Sequence, residues 1–199
     1  MGKEIEYKLA VDDLQLLDCI LCDPMITGRQ QAPFDYIRMQ TTDYDTEDGA
    51  LEKKRWMLRL RTENGRSVVT MKTPGEGHTR GEWEAESEYL DDALPQLVSL
   101  GAPHELGLLQ AESLVPVCGA KFTRITAELR LTDDTSCMLC GDVGELNGGG
   151  KSALLCELEL ELKTGSEQTL AGFVRQLREK YRLSEQPLSK LQRARSLAE

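Results

Sequence analysis

Six stretches of this chain place ionisable or polar side chains on every second residue. They are Glu4, Glu6 and Lys8; Arg59 and Arg61; Thr70 and Lys72; Arg80, Glu82, Glu84 and Glu86; Arg124, Thr126, Glu128 and Arg130; and Glu157, Glu159 and Glu161. Mostly apolar residues stand between them, such as Ile5, Tyr7 and Leu9, or Leu158, Leu160 and Leu162. A period of two belongs to a β-strand, whose successive side chains point to opposite faces. Each stretch therefore predicts a strand with one apolar and one charged face. Carboxylates take hard divalent cations such as Mg²⁺ or Mn²⁺ through oxygen. Arg and Lys take phosphate, Arg with a two-pronged fork. Charged faces that carry both signs suit a ligand made of metal and several phosphates.

Two arrangements fit this parity. In one, an antiparallel sheet turns its charged face to water and its apolar face to helices. In the other, the sheet closes on itself, charged side chains line the lumen, and helices partly cover the outside. Three Glu in a row on one face at 157–161 repel each other unless cations lie between them. An ordinary wet face mixes in more Thr, Ser and Gln. Both points favour the closed sheet, and unpaired charge inside it would be very costly, so its lumen calls for a charged ligand.

The remaining elements follow from local signals. Strands are expected at about 3–10, 35–43, 56–62, 66–72, 80–89, 123–131, 136–143 and 154–163. Asn64-Gly65 between two alternating runs marks a hairpin. A helix is expected at 12–22 with Asp12 or Asp13 as its cap, and another at about 91–101 with Asp as cap and Pro95 near its start. Residues 102–119 suggest a short helix and a connection. The stretches T-E-D-G-A-L and E-L-N-G-G-G-K-S read as loops, the latter without the spacing of a phosphate-binding loop. Amphipathic helices are expected at about 166–181 and 188–197. No repeat and no long linker is visible, so residues 1–199 read as one domain.

Composition narrows the function. The 199 residues carry 40% hydrophobic and 29% charged side chains, as a globular protein does. A formal charge of −10 argues against nucleic-acid binding, which needs a basic footprint. No apolar run has the length of a membrane span, and no signal-peptide pattern opens the chain. The expectation is a cytoplasmic protein with six reduced Cys. Cys19/Cys22 and Cys137/Cys140 have C-x-x-C spacing, but the first pair reads as helical. The second reads as a strand, where residues three apart face opposite ways and chelate poorly. His78 and His104 read as loop residues, with no Ser-His or Cys-His arrangement around them.

Taken in order, the motifs resemble those of the CYTH domain family, also called the triphosphate tunnel metalloenzymes. E-I-E-Y-K resembles the family's E-x-E-x-K. D-Y-D-T-E-D resembles its aromatic-Asp-Thr turn, and L-R-L-R with T-M-K-T-P-G its basic hairpin. R-G-E-W-E resembles its R-x-E-x-E strand. Arg124, G-D-V-G, C-E-L-E-L-E-L-K and L-S-K-L complete the order, over about residues 3–195.

The resemblance implies an α+β fold: a closed antiparallel β-barrel of about eight strands, forming a charged tunnel with flanking helices. It implies Glu4, Glu6, Glu157, Glu159 and Glu161 as metal ligands for Mg²⁺ or Mn²⁺, with the first and last acidic strands meeting across the barrel. Lys8, Arg59, Arg61, Lys72, Arg80, Arg124 and Lys190 would clamp phosphate. Glu82, Glu84 and Asp142 would serve a second metal or position water, with Lys8 also in the catalytic set. The implied activity is metal-dependent hydrolysis of a small-molecule triphosphate, foremost inorganic tripolyphosphate, by in-line attack of water on the terminal phosphorus. Thiamine triphosphate or a nucleoside triphosphate are the alternative substrates. A class IV-type adenylyl cyclase is a further alternative, although T-T rather than H-F-D precedes the turn. A non-catalytic polyphosphate-binding module predicts no intact acidic strands, and a lipocalin-like carrier predicts an apolar lumen. The acidic strands are intact, which leaves the binding module as the last alternative, and the Glu/Arg parity contradicts the carrier.

Overall fold

The structure is a computed structural model that describes residues 5–74, 80–109 and 113–198. Its nine strands are β1 (Glu6–Ala10), β2 (Asp35–Thr46), β3 (Met57–Glu63), β4 (Arg66–Pro74), β5 (Arg80–Glu86), β6 (Leu114–Arg130), β7 (Ser136–Gly148), β8 (Lys151–Thr164) and the two-residue β9 (Ser184–Glu185). Its helices are α1 (Leu14–Leu21), α2 (Pro24–Thr27), α3 (Ala50–Lys53), α4 (Leu90–Ser99), α5 (Glu167–Tyr181) and α6 (Lys190–Ser196), with a 3-10 turn at His104–Leu108. The strands form one sheet in the order β5-β4-β3-β2-β6-β7-β8-β1-β9. The α+β class and the antiparallel sheet match expectation. Among the described residues the hydrogen-bonded order ends at β5 on one side and β9 on the other, without a ladder that closes it.

Local chemistry explains the boundaries. Asp13 caps α1 by accepting from Leu16 N at 2.8 Å. Ser166 caps α5 by accepting from Thr169 N at 3.3 Å. Asn64 and Gly65 both adopt positive φ (48° and 88°), as the tight turn joining β3 to β4 requires. The glycine stretch expected to be a loop is instead a hairpin. Strand β7 runs to Gly148, β8 starts at Lys151, and only Gly149 and Gly150 turn the corner, both with positive φ. Helix α4 is capped at Tyr89 rather than at an Asp; Asp91 and Asp92 lie in its first turn, where they complement the helix dipole, and Pro95 lies inside it. Strand β6 begins nine residues before the 123 expected from the sequence, in L-V-P-V-C-G-A-K, a run of apolar and small residues broken by Pro116 and Gly119 that shows no polar alternation. The T-E-D-G-A-L loop ends in the single turn of α3.

The chain divides into two compact units, residues 1–37, 122–145 and 154–189, and residues 38–121, 146–153 and 190–199. In the first, Leu158 and Leu160 of β8 pack with Leu9 of β1, Leu17 and Ile20 of α1, and Leu170, Val174 and Leu177 of α5. In the second, Leu58, Val69, Met71 and Ala85 of β3–β5 pack with Ala93, Leu94 and Leu97 of α4. Burying each such Leu or Val stabilises by roughly 1.5–3 kcal/mol. In both units the apolar parity class faces helices and leaves the charged class on the other side. No helix among the described residues is long and apolar enough to cross a membrane.

A polar staple secures the first unit. Asp23 caps α2 by accepting from Met25 N at 2.7 Å, and takes short hydrogen bonds from Lys180 Nζ and Tyr181 Oη at the end of α5. Those bonds, Lys180's first, lower the Asp23 pKa to about 2. Burial, with Asp23 behind it, raises that of Tyr181 to about 12. A depressed carboxylate stabilises above its unfolded pKa and loses that contribution as pH falls through the folded one. A raised phenol does the reverse, its contribution vanishing between its ordinary value near 10 and about 12. The melting-temperature gap between the wild type and Asp23→Asn is therefore expected to be widest near neutral pH. It should narrow from about pH 4 to pH 2. A gap independent of pH would show that Asp23 acts through packing alone.

Candidate functional site

The first unit gathers acidic residues from two strands onto one face. Carboxylate oxygens of Asp142 (β7), Glu157 and Glu159 (β8) all lie within 4.8 Å of one another. Asp142 and Glu157 are 0% exposed and Glu159 7%, so this stretch of the charged face is not a wet one. Arg124 of β6 forks onto Asp142, with Nε donating to Oδ1 at 2.8 Å and Nη2 to Oδ2 at 2.7 Å. The same Nη2 donates to Glu159 Oε2 at 2.6 Å. Burial works against the Arg124 charge, but the hydrogen bonds and charge of Asp142, with Cys140 and Glu159 behind them, raise its pKa.

Strand β1 is the hydrogen-bonded neighbour of β8, so the two acidic strands meet side by side rather than across the sheet. Lys8 stands directly opposite Glu159, and Glu6 opposite Glu161. Lys8 Nζ lies 3.3 Å from Glu6 Oε2 and 3.8 Å from Glu159 Oε1. Glu161 is further out and pairs with Lys163 at 3.2 Å. Glu4 lies outside the described residues. The acidic trio thus combines two of the expected metal ligands, Glu157 and Glu159, with Asp142, which the resemblance gave a different role. Three clustered oxygen donors can hold a metal ion, and hard donors of this type suit Mg²⁺ or Mn²⁺.

The second unit carries the basic face. Registers place Asp43 opposite Arg59, Thr41 opposite Arg61, Arg59 opposite Thr70, Lys72 opposite Glu82 and Thr70 opposite Glu84. Directly opposed residues share a face, so Arg59, Arg61, Lys72, Glu82 and Glu84 stand together. Arg61 Nε is 3.1 Å from Glu63 Oε1, and its Nη2 is 3.9 Å from Glu84 Oε1. Lys72 Nζ is 2.8 Å from Glu82 Oε1. Glu84 accepts from Thr70 Oγ1 at 3.1 Å. Glu86, one step further along β5, is mostly solvated and pairs with the exposed Arg66. Arg80 opens β5, with its side chain outside the description, and Lys190 is the first residue of α6.

The D-Y-D-T stretch divides its labour. Asp45 is buried and accepts from Leu51 N at 2.8 Å and Glu52 N at 3.0 Å, holding the start of α3. Thr46 Oγ1 accepts from Ala50 N at 2.8 Å. Asp43 turns instead to Arg59, whose Nε donates to its Oδ1 at 3.2 Å. The sequence reading passed over Asp43; its only signal was an acidic residue two places from Asp45.

The cysteines confirm the parity. Cys137 packs in the apolar core while Cys140 contacts Thr126 Oγ1 at 3.2 Å, on the side of Arg124 and Asp142. Burial pushes the Cys140 thiol above its usual range and the Cys137 thiol up to about 12, so both are neutral. Cys19 and Cys22 are exposed on and just after α1.

The chain is 29% identical over 140 residues to a protein of Haemophilus influenzae named inorganic triphosphatase, a match covering 68% of this chain and 39% of that protein. This chain therefore matches well under half the length of that relative. Among solved structures, one is a candidate adenylyl cyclase from Hippeastrum described as having a dominant triphosphatase activity. It superposes with a TM-score of 0.61 at 20% identity, over 98% of this chain and 96% of its own. A candidate adenylate cyclase from Bacillus halodurans superposes with a TM-score of 0.54 at 18% identity, over 96% of each chain. At such identities the two structures speak for the fold alone. The family model of the CYTH domain matches residues 2–194, and the chain belongs to the CYTH domain family.

Proposed function

We propose that this protein is a divalent-metal-dependent hydrolase of a small-molecule triphosphate, with inorganic tripolyphosphate as its foremost substrate. The observation that carries the reading is the convergence of Asp142, Glu157 and Glu159 in the unit where Arg124 and Lys8 also stand. The named activity of the Haemophilus influenzae relative supports the choice of hydrolysis. Membership of the family supports a single domain over residues 1–199 and a barrel closed into a tunnel.

In this reading Asp142, Glu157 and Glu159 hold the metal, joined by Glu4, Glu6 and Glu161 of the same parity class. Mg²⁺ or Mn²⁺ bound there would neutralise phosphate oxygens and lower the pKa of a bound water. Arg59, Arg61 and Lys72, with Lys8, Arg80, Arg124 and Lys190, bind and straighten the phosphate chain. Glu82 and Glu84 accept hydrogen bonds from the attacking water and orient it. Attack in line on the terminal phosphorus expels diphosphate from tripolyphosphate. Positioning and preorganised charge supply most of the acceleration.

The test is a substrate panel. Purified protein with Mg²⁺ or Mn²⁺ is offered tripolyphosphate, thiamine triphosphate and ATP, and both phosphate and cyclic AMP are measured. The expected result is phosphate release, fastest from tripolyphosphate and abolished by a chelator. Cyclic AMP as the main product would overturn hydrolysis in favour of the cyclase reading. Metal-dependent binding of tripolyphosphate without turnover would reduce the protein to a binding module.

A further inference from the structure

Asp43 is 2% exposed on β2, yet among the described residues neither a helix end nor a metal cluster accounts for it. Burying a lone carboxylate is very costly, so a buried one is held by cations or hydrogen bonds. One guanidinium contacts it, and a second acts on it through charge. Arg59, its cross-strand partner, donates from Nε at 3.2 Å. Arg195 of α6 acts on it through charge, hydrogen-bonds the buried Cys118 of β6, and reaches Glu52 Oε1 of α3 at 2.8 Å through Nη1. Burial, with the Asp43 charge behind it, raises the Cys118 thiol to about 11, so the thiol is neutral.

The contact on Arg59 is made through Nε, the inner nitrogen of the guanidinium. Its outer Nη2 reaches Met57 Sδ at 3.5 Å, and a thioether is a weak acceptor that a phosphate oxygen outcompetes. An arginine held by Nε has its fork fixed before any ligand arrives. A free arginine must be ordered during binding or in the transition state.

We propose that Asp43 is a positioning residue, which holds Arg59 by its Nε and so aims the outer guanidinium nitrogens at the triphosphate. The inference rests on the reading of Arg59 as a phosphate ligand. It predicts a particular split in kinetics. Asp43→Asn releases the guanidinium but also removes a negative charge, so a polyanion in the ground state is still attracted. Alignment matters most where charge develops in the transition state. KM for tripolyphosphate should stay within about threefold, while kcat falls about tenfold to a hundredfold. Arg59→Ala should raise KM as well as lower kcat.

The deciding experiment is the double-mutant cycle, with melting curves confirming that each variant is folded. If Asp43 acts through Arg59, adding Asp43→Asn to Arg59→Ala lowers kcat no further. An equal loss in both backgrounds would overturn the proposal and leave Asp43 a structural residue. An unaltered KM and kcat in Arg59→Ala would instead remove Arg59 from the phosphate site, a separate failure. Should Asp43→Asn not fold, Arg59→Lys asks the same question. It keeps the charge but has no Nε to anchor, so kcat should fall about tenfold with KM within about threefold. Wild-type kcat in Arg59→Lys would sink the proposal.

Discussion

Glu159→Gln is expected to leave a folded protein that hydrolyses tripolyphosphate on the order of 10²–10³ times more slowly than the wild type. The substitution keeps the shape of the side chain, so packing along β8 changes little. What it removes is one anionic donor from the trio with Asp142 and Glu157, together with the charge that faces Arg124 Nη2 at 2.6 Å and Lys8 Nζ at 3.8 Å. Three consequences converge: a weaker metal site, a less firmly held Arg124 and a less firmly held Lys8. The Mg²⁺ concentration for half-maximal turnover should rise by about 10–100-fold. Glu161→Gln gives the informative comparison. Glu161 is a third exposed and tied to Lys163 at 3.2 Å, so its loss should be smaller, about tenfold or less. Phosphate release measured across a Mg²⁺ titration decides the matter. Turnover within twofold of wild type in Glu159→Gln, with the same metal dependence, would remove β8 from the metal site. Equal losses in both variants would move the metal outward along the strand.

Why β8 could be read so far in advance, and other parts could not, has a physical basis. In E-L-E-L-E-L the period of two is unbroken, so parity alone assigns Leu158 and Leu160 to the core. The same parity assigns Glu157 and Glu159 to the opposite face. Periodicity does not report whether that opposite face is wet. Glu157 at 0% exposure and Glu86 in solvent obey the same alternation, and only the fold around each strand separates them. Pairing partners were equally hidden. Nothing local in E-I-E-Y-K states that Lys8 will stand opposite Glu159, because register is decided by strands more than a hundred residues apart. Asp43 was missed for a related reason. Its significance lies in Arg59 on the next strand and in Arg195, far away in sequence on α6. The Gly149-Gly150 turn was legible in principle. Two glycines with positive φ between strand-like runs make a hairpin, but the neighbouring Gly148 blurred where the strand stopped.

Arg124→Met tests the buried charge itself, and its largest effect should be on stability. Arg124 forks onto Asp142, which is fully buried, and bridges to Glu159. Methionine fills part of the same volume but leaves those carboxylates without the guanidinium. Breaking a buried ion pair by removing one partner costs about 3–5 kcal/mol, because the remaining charge stays desolvated. In a protein of this size that corresponds to about 6–20 °C in melting temperature, measured in chelator. A divalent ion at Asp142, Glu157 and Glu159 would replace part of the missing positive charge. Ligand that binds only the native state stabilises by about 2.7 kcal/mol at a hundred times its dissociation constant. In the wild type the same ion shares its carboxylates with Arg124, so its net gain is smaller. Millimolar Mg²⁺ should therefore raise the melting temperature of Arg124→Met more than that of the wild type. A variant that melts within about 2 °C of wild type in chelator would mean the fork adds no net stability. Equal Mg²⁺ shifts in both proteins would mean that the ion binds elsewhere. The comparison separates the two cations that the acidic trio can accept, one built into β6 and one supplied from solution.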